Sequence, residues 1–405
     1  MAAARARSYL DHNATTPVDP DVIEAVAVAM RDDFGNASSV HHFGQQAKAR
    51  LDDARQEVAA LIGGAPTEIV FTSGGTEADN FAVRGVAEAL EPLGKRHLVT
   101  SSIEHEAVLN TMRALERRGW RVTRVAPDRH GVVRPDAIAA ALQDDTALLS
   151  LMHANNEVGT LQPVAACAAL AHARGIVVHS DAVQSVGKVP VDVRALDVDL
   201  LSLSGHKLYG PKGIGALWIR RGTRLLATMT GGKQERSRRA GTENVPAIAG
   251  LGVAARLASS RLDADAGAQA HLRDALEQGI LARVPGTHVN GAGADRVPNT
   301  TNVGFEGIEA ESLLIALDLE GFAVSPGSAC SSRTLEPSHV LKAMGLPLHD
   351  TQNALRLSVG RHTTQAEIAA LLEALPPIVE RLRSLTDRRQ PQLAESASHA
   401  REGSA

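Results

Sequence analysis

Lys207 combines a reactive side chain with a setting that suits covalent chemistry. It follows the apolar run LLSLS in "LLSLSGHKLYGPKG" and precedes a turn rich in Gly and Pro. A lysine in a cleft at the end of a strand can have its pKa lowered by desolvation and form a Schiff base with a carbonyl compound. A solvated surface lysine is the simpler interpretation, so the neighbouring motifs must decide between the two.

The two cysteines have contrasting surroundings. Cys330 lies in "SPGSACSSRTLEP", where Gly, Ser and Pro favour an exposed loop, so it is either a reactive thiol or an incidental surface thiol. Cys167 lies in the alanine-rich helical pattern "PVAACAALAHARG" and is predicted to be a small packed side chain. Two cysteines exclude a disulfide framework, and the sequence has no CxxC pair for a structural zinc.

Two further motifs place polar groups at the ends of predicted strands. In "VFTSGGTEADNFAV" a β-like run leads through Gly75 and Thr76 into a helix, whose unpaired N–H groups could bind a phosphate. An ordinary helix-opening turn is the alternative. In "VVHSDAVQ" a β-like run ends on Asp181, which could pair with the cationic ring nitrogen of a cofactor or simply cap a turn.

These motifs lie in a region where strand-like and helix-like segments alternate, from about residue 69 to 216. The alternation predicts an α/β fold with a mainly parallel sheet flanked by helices, in which ligands collect at the strand ends. We expect a large domain over residues 15–254 and a smaller α+β C-terminal domain from residues 1–14 and 255–384. The polar segment 385–405 lacks periodicity and is predicted to be a disordered tail.

Composition narrows the possible partners. The chain has 405 residues, 42 Lys and Arg against 46 Asp and Glu, and a net charge of -4, so nucleic acid and acidic membranes are not expected partners. No segment has the pattern of a signal peptide or the length of a membrane span, and we expect a cytoplasmic protein. The scattered residues His12, His41 and His42 do not form a spaced ligand set, so no metal is expected.

A series of motifs in a fixed order gives a family resemblance. The motifs are "NASSVHHFG", "FTSGGTEADN", "SSIEHEAV", "HANNEVG", "HSDAVQSVGK", "SGHKLYGPKGIGAL", "RRAGTENV" and "GSACSS". From "YLDHNATTPVDP" to "ALRLSVGRHTT" the chain resembles the class V aminotransferase group of fold-type I pyridoxal phosphate enzymes. More narrowly, it resembles the cysteine desulfurases of the NifS/IscS type.

The resemblance implies pyridoxal 5'-phosphate as cofactor and assigns most of its contacts. Lys207 would carry the cofactor as a Schiff base, Asp181 would pair with the pyridinium nitrogen, and His105 would stack on the ring and shuttle protons. The remaining implied contacts are to the ring hydroxyl region and the phosphate: Gln184 and Asn156 for the former, and Gly75, Thr76, Ser204, His206 and, from the neighbouring subunit of a homodimer, Thr242 for the latter.

The resemblance also implies the substrate and the reaction. Arg356, together with Asn13, would bind the carboxylate of L-cysteine, since an arginine fork matches a carboxylate. Cys330 would attack the substrate sulfur, giving L-alanine and an enzyme persulfide for an acceptor such as an iron–sulfur scaffold protein. The acceptor's pathway is left open between iron–sulfur assembly, transfer-RNA thiolation and nitrogenase maturation.

The sequence departs from the family pattern at three positions. Gly75 and Gly205 stand where alanine is common, which we interpret as harmless exchanges between small residues, and the contribution of His12 is left open. A selenocysteine lyase, an alanine-glyoxylate type aminotransferase and a non-catalytic sulfur carrier are the alternatives. The "GSACSS" motif argues against an aminotransferase, which needs no thiol. The complete set of candidate catalytic residues argues against a non-catalytic protein.

Overall fold

The structure is a computed structural model that describes residues 7–326 and 337–402, with residues 386–402 described by their backbone alone. Its strands are β1 (Ser8–Tyr9), β2 (Ile69–Thr72), β3 (His97–Ser101), β4 (Arg121–Val125), β5 (Thr146–Ser150), β6 (Val177–Asp181), β7 (Leu200–Ser204), β8 (Gly215–Ile219), β9 (Thr287–Val289), β10 (Thr300–Phe305), β11 (Phe322–Ala323), β12 (Ser325–Pro326) and β13 (Ala354–Ser358). Its helices are α1 (Pro20–Asp32), α2 (His42–Leu61), α3 (Gly75–Leu90), α4 (Glu106–Glu116), α5 (Pro135–Ala141), α6 (Val164–His172), α7 (Gln234–Ser237), α8 (Val245–Arg283), α9 (Ala310–Leu319), α10 (His339–Ala343) and α11 (Gln365–Glu402).

A sheet of seven described strands, in the order β2-β8-β7-β6-β5-β3-β4, forms the centre of the larger part. The strands from β7 to β4 pair in parallel, and β8 runs antiparallel to both of its neighbours. Strands β2, β3, β5, β7 and β8 are buried along their whole length, because helices cover both faces of the sheet. The predicted α/β fold with a mainly parallel sheet is confirmed.

The smaller part is built on an antiparallel sheet in the order β12-β13-β10-β9. Strand β1, from the N-terminal segment, pairs in parallel with β11 of this part. Leu10 belongs to its hydrophobic core, together with side chains from α8, α9 and α11. The predicted smaller α+β domain is therefore present, and the N-terminal segment packs with it.

Two predicted domain boundaries fall inside continuous helices. Helix α8 crosses the expected boundary at residue 254, because Leu251 and Ala255 pack in the large core whereas Leu276 and Ile280 pack in the small one. Helix α11 continues past residue 384 into the segment predicted to be disordered. No helix of the described chain is both long and apolar enough to span a membrane.

Candidate active site

A cavity of about 310 Å³ lies where β2, β3, β5, β6 and β7 end, at one edge of the large sheet. Parallel strands end at the same edge, so the loops that follow them meet there. The cavity is lined by Asn13, Ala14, Gly75, Thr76, Asp79, His105, Met152, Asn156, Asp181, Val183, Gln184, Ser204, His206, Lys207 and Arg356. Every predicted site residue except Thr242 and Cys330 is among them.

Lys207 ends a short 3-10 helix that follows β7 directly. Its Nζ donates hydrogen bonds to the backbone carbonyls of Asn13 and Ala14, the latter at 2.8 Å. The turn is tight, because a Cβ added to Gly205 would lie 2.9 Å from Cγ2 of Ile214. An alanine at position 205 would therefore force the turn or Ile214 to shift, so the exchange is not the harmless one that the sequence had indicated.

Asp181 and His105 are held by backbone contacts at the cavity wall. The Asp181 carboxylate is buried at the end of β6 and accepts a hydrogen bond from the Val183 N–H at 2.9 Å. Burial raises the pKa of Asp181, although His105 and Lys207 act in the opposite direction. His105 caps α4, its Nδ1 accepting from the Ala107 N–H at 3.1 Å, so a neutral ring carries its proton on Nε2.

The start of α3 provides donors for an anion. Gly74 has φ of 152°, and the helix has no side-chain cap, so its first N–H groups remain available at the cavity. The hydroxyl groups of Thr76 and Ser204 and the ring of His206 line the same cavity. Burial, and then the positive charge of Lys207, lower the pKa of His206 to about 4. This donor set suits a phosphate.

Gly75 is closely matched to Val183. A Cβ added to Gly75 would lie 2.8 Å from Cγ2 of Val183 and 3.6 Å from Cβ of Ser204. The first distance is shorter than a real carbon contact, so one of the two side chains must be small. The sequence analysis treated Gly75 as a neutral replacement for alanine, and the structure corrects this, because the glycine leaves the space that Val183 fills.

Arg356 is the largest fully buried side chain and reaches the cavity from β13. One terminal nitrogen donates to the Asn156 carbonyl at 3.0 Å and the other to Oδ1 of Asp11 at 2.7 Å. Nε of Arg356 and Oδ1 of Asn156 are buried and have no hydrogen-bond partner in the described structure. Buried polar atoms are almost always paired, so these two indicate the position of a polar ligand.

The side-chain amide of Asn13 is already engaged. It donates to Oγ1 of Thr300 at 2.8 Å and to the Asn156 carbonyl at 3.3 Å. Its Oδ1 accepts from Lys188 and from Asn299, both at 3.0 Å. The amide thus connects the N-terminal segment to both parts of the protein, and its predicted contact with a substrate carboxylate stays a prediction.

The sequence analysis missed two buried charged groups beside the cavity. Asp79 lines it from α3 and is 1% exposed, and Lys188 is buried behind Gln184. Burial and the nearby Asp181 raise the pKa of Asp79. The sequence pattern could have indicated the burial of Asp79, because this residue lies on the same helix face as the apolar residues Ala82 and Val86.

His12, whose contribution the sequence left open, is a buried ring in the smaller part. It contacts Tyr9 edge to face, with the ring centroids 5.0 Å apart, and a Cβ on Gly360 would collide with it. Burial, and then Lys188, lower the pKa of His12 to about 4. This surrounding indicates a neutral packing residue.

Cys330 lies outside the described residues, but the residues on either side of segment 327–336 are fixed. Before it, Ser325 pairs with Arg356 across β12 and β13. After it, Oγ of Ser338 donates to Oε2 of Glu157 at 2.5 Å, and Nε2 of His339 lies 3.0 Å from the Glu104 carbonyl. The described residues on both sides of the segment therefore contact cavity residues or their immediate neighbours in sequence. Thr242 is exposed on the connection between α7 and α8 and does not line the cavity of its own chain.

The fold and the cavity define an α/β enzyme of the fold-type I architecture, with a lysine, a buried aspartate and an uncapped helix at one sheet edge. The family model for class-V aminotransferases matches residues 8–371, and the chain belongs to that family, with the cysteine desulfurases as relatives. A cysteine desulfurase of Nostoc sp. is 49% identical over 378 residues, covering 93% of this chain and 94% of the relative.

Solved structures agree with this assignment. A NifS-like protein superposes with a TM-score of 0.87 at 38% identity, covering 93% of this chain and 100% of its own. A structure of SspA in complex with cysteine superposes with a TM-score of 0.78 at 36% identity, covering 88% of this chain and 99% of its own.

Proposed function

We propose that this protein removes sulfur from L-cysteine, giving L-alanine and a persulfide on Cys330. The observation that carries the proposal is the convergence of Lys207, Asp181 and Arg356 on one cavity, with unpaired polar atoms at its carboxylate-binding side. The 49% identity to a cysteine desulfurase over nearly the whole chain supports the same reaction.

Pyridoxal 5'-phosphate fits the residues of the cavity. The cavity volume of about 310 Å³ is at the lower end of the range for small-molecule sites. Gly75, Thr76, Ser204 and His206 would bind the phosphate, and the buried Asp181 carboxylate would recover its charge beside a cationic ring nitrogen. When bound, the cofactor supplies an electron sink that stabilises negative charge on the substrate carbon.

Arg356 and Lys207 prepare the site for an amino acid. The Arg356 guanidinium lines the cavity and is held by Asp11 and Asn156, so it would bind a ligand without losing side-chain freedom. Burial excludes water from this contact and strengthens it. Nζ of Lys207, held at the carbonyls of Asn13 and Ala14, is the amine that would attach the cofactor and return protons to the substrate carbon.

Cys330 carries the sulfur step in this proposal. Its thiolate forms a bond to the substrate sulfur, the carbon–sulfur bond of the substrate breaks, and the electron pair of that bond stays on the substrate carbon, which then takes a proton. L-Cysteine and a thiol thus give L-alanine and a persulfide without an external oxidant. His105 would move the proton through Nε2, because its Nδ1 is held by the start of α4.

The persulfide sulfur would pass to an acceptor protein, such as an iron–sulfur scaffold. The described residues that flank the segment with Cys330 pair with Arg356 and with Glu157, the neighbour of Asn156, which supports a thiol that serves the substrate in the cavity. A reducing cytoplasm suits an enzyme whose nucleophile must return to the thiol form after each transfer.

A homodimer would complete the phosphate site with Thr242 of a second copy. Support comes from the exposed aromatic pair Phe34 and Phe43, with ring centroids 5.2 Å apart, which leaves apolar area uncovered. A wider hollow of about 580 Å³ adjoins the site and shares Thr76 and His105 with it, so the phosphate end is open to a neighbouring chain.

Mixed dimers of Lys207→Ala and Thr242→Ala chains test this arrangement. If Thr242 serves the neighbouring site, one site of the mixed dimer carries both defects and the other carries none, so activity returns. If Thr242 serves its own chain, each site carries one defect and the mixture stays as impaired as the two parents.

The cysteine pair provides the test of the reaction. Cys167 is fully buried, and burial raises the pKa of its thiol to about 11, so Cys167→Ser should release alanine from L-cysteine normally. Cys330→Ser should bind pyridoxal phosphate and L-cysteine but release no alanine, because a hydroxyl is too weakly ionised to accept sulfur. Alanine production by Cys330→Ser at the wild-type rate would remove the persulfide mechanism. Keto acid formed independently of Cys330 would indicate an aminotransferase.

A further inference from the structure

Lys188 is a buried lysine directly behind the cavity wall. It is 7% exposed and lies four residues after Gln184, in the turn that follows β6. Its Nζ donates to Oε1 of Gln184 at 2.6 Å and to Oδ1 of Asn13 at 3.0 Å. Among the described residues, no carboxylate lies close enough to form a salt bridge with Lys188. The hydrogen-bond acceptors of the amine are two neutral amide oxygens. Burying an amine in this way is costly, which argues for a role beyond packing.

The contacts of Lys188 determine which atom of each amide faces the cavity. In the structure an oxygen atom of each amide is turned toward the amine, which donates to both. The opposite side of the Gln184 amide agrees, because Nε2 donates to the backbone carbonyl of Asn13 at 3.0 Å. An NH₂ group has two hydrogens, so Gln184 keeps one donor for a ligand in the cavity that it lines.

The same contacts fix the segment against which Lys207 rests. Lys188 holds the Asn13 side chain, and the Asn13 carbonyl accepts hydrogen bonds from Lys207 and Gln184. Lys188 therefore reaches the candidate catalytic lysine through a single intermediate residue. Burial, and then Lys207 and Arg356, lower the pKa of Lys188 well below its ordinary value.

We propose that Lys188 is a positioning residue that holds the amides of Gln184 and Asn13 with their oxygens turned inward, so that Gln184 presents an N–H donor to the cofactor. This inference rests on the proposed function, because an acceptor such as the ring oxygen of pyridoxal phosphate is what the donor would bind. Without Lys188, the Gln184 amide can rotate and present its oxygen, which would repel that acceptor.

A double-mutant cycle on Lys188 and Gln184 tests the inference through cofactor binding rather than activity. Pyridoxal phosphate is titrated into cofactor-free wild type, Lys188→Met, Gln184→Ala and the double variant, and the melting temperature of each cofactor-free protein is recorded. Lys188→Met should raise the Kd roughly tenfold, the size expected for one lost hydrogen bond at a buried site. In the Gln184→Ala background the same change should have less than about a twofold effect, because the amide through which Lys188 acts is gone.

Two further variants keep the test independent of folding defects. Lys188→Arg supplies a group that can only donate hydrogen bonds, so this variant should bind the cofactor nearly as tightly as wild type. Lys188→Gln can turn either the oxygen or the NH₂ group of its amide toward Gln184, so this variant should bind the cofactor weakly. The exposed Lys48→Met serves as the charge-removal control and should leave the Kd unchanged.

The outcomes separate the inference from the proposed function. The positioning role would be overturned if Lys188→Met raised the Kd by the same factor with Gln184 present and with Gln184→Ala. Cofactor binding by Lys188→Gln as tight as that of wild type would overturn it too. Either result would leave the cofactor assignment intact. Failure of the wild-type protein to bind pyridoxal phosphate would instead overturn the proposed function itself.

Discussion

Ser325 of β12 is the register partner of Arg356 of β13, so the strand that leads into segment 327–336 runs beside the arginine that faces the cavity. On the far side of the segment, Ser338 is bound to Glu157, which follows the cavity residue Asn156. The described residues on both sides of the segment that contains the candidate nucleophile therefore lie next to the candidate substrate-binding groups.

Replacement of Arg356 by lysine should raise the KM for L-cysteine by about tenfold or more, because the single nitrogen of lysine lacks the planar fork that reaches Asp11 and the Asn156 carbonyl while it binds a carboxylate. Arg361→Lys is the matched control. Arg361 is also a largely buried arginine, but its carboxylate partners are Asp19 and Asp265, outside the cavity. It should lose stability with little change in KM, and an equal change in KM for both variants would refute the assignment of Arg356.

The close approach of Gly75 and Val183 predicts a compensating pair. Gly75→Ala alone should lower the free energy of unfolding by about 1–3 kcal/mol and weaken cofactor binding, because its Cβ would lie 2.8 Å from Cγ2 of Val183. The double variant Gly75→Ala, Val183→Ala should recover most of the loss. Denaturant unfolding and cofactor titration measure both effects, and strictly additive losses would contradict the steric coupling.

The buried ion pair of Arg55 and Glu235 should hold the connection that carries Thr242. Both terminal nitrogens of Arg55 bind the Glu235 carboxylate at 2.7 Å, and Glu235 has a left-handed backbone with φ of 45°. Arg55→Met should cost about 3–5 kcal/mol, because it leaves a buried charge without its partner.

Replacement of both members of that pair by apolar residues should cost less than Arg55→Met alone, which denaturant unfolding measures. Lys48→Met, which breaks an exposed pair with Asp52, is the control and should change stability little. A loss from Arg55→Met no larger than that of the control would show that the pair does not hold this connection.

The sequence predicted the residues whose position follows from strand order. Asp181 and Lys207 follow neighbouring parallel strands, so their side chains had to meet at one sheet edge. Arg356, far away in sequence, was placed by the family resemblance and not by the local pattern. The match of Gly75 to Val183 was missed, because it depends on a contact between the start of α3 and the turn after β6 and not on either motif alone.

Lys188 and the domain boundaries show why the remaining features could not be predicted. A charged residue is normally assigned to the surface, and the partner that permits the burial of Lys188, Asn13, is 175 residues away in the sequence. Helix α8 has apolar residues that serve two different cores, so its pattern contains no break at the boundary between the two parts.

The persulfide on Cys330 can be detected by mass spectrometry of the two cysteine-containing peptides after the cofactor-loaded enzyme has reacted with L-cysteine without a reductant. We expect the peptide with Cys330 to gain one sulfur atom while alanine forms, the peptide with Cys167 to stay unchanged, and a reductant to remove the added sulfur. Alanine formation with Cys330 unmodified at every time point would contradict the persulfide mechanism.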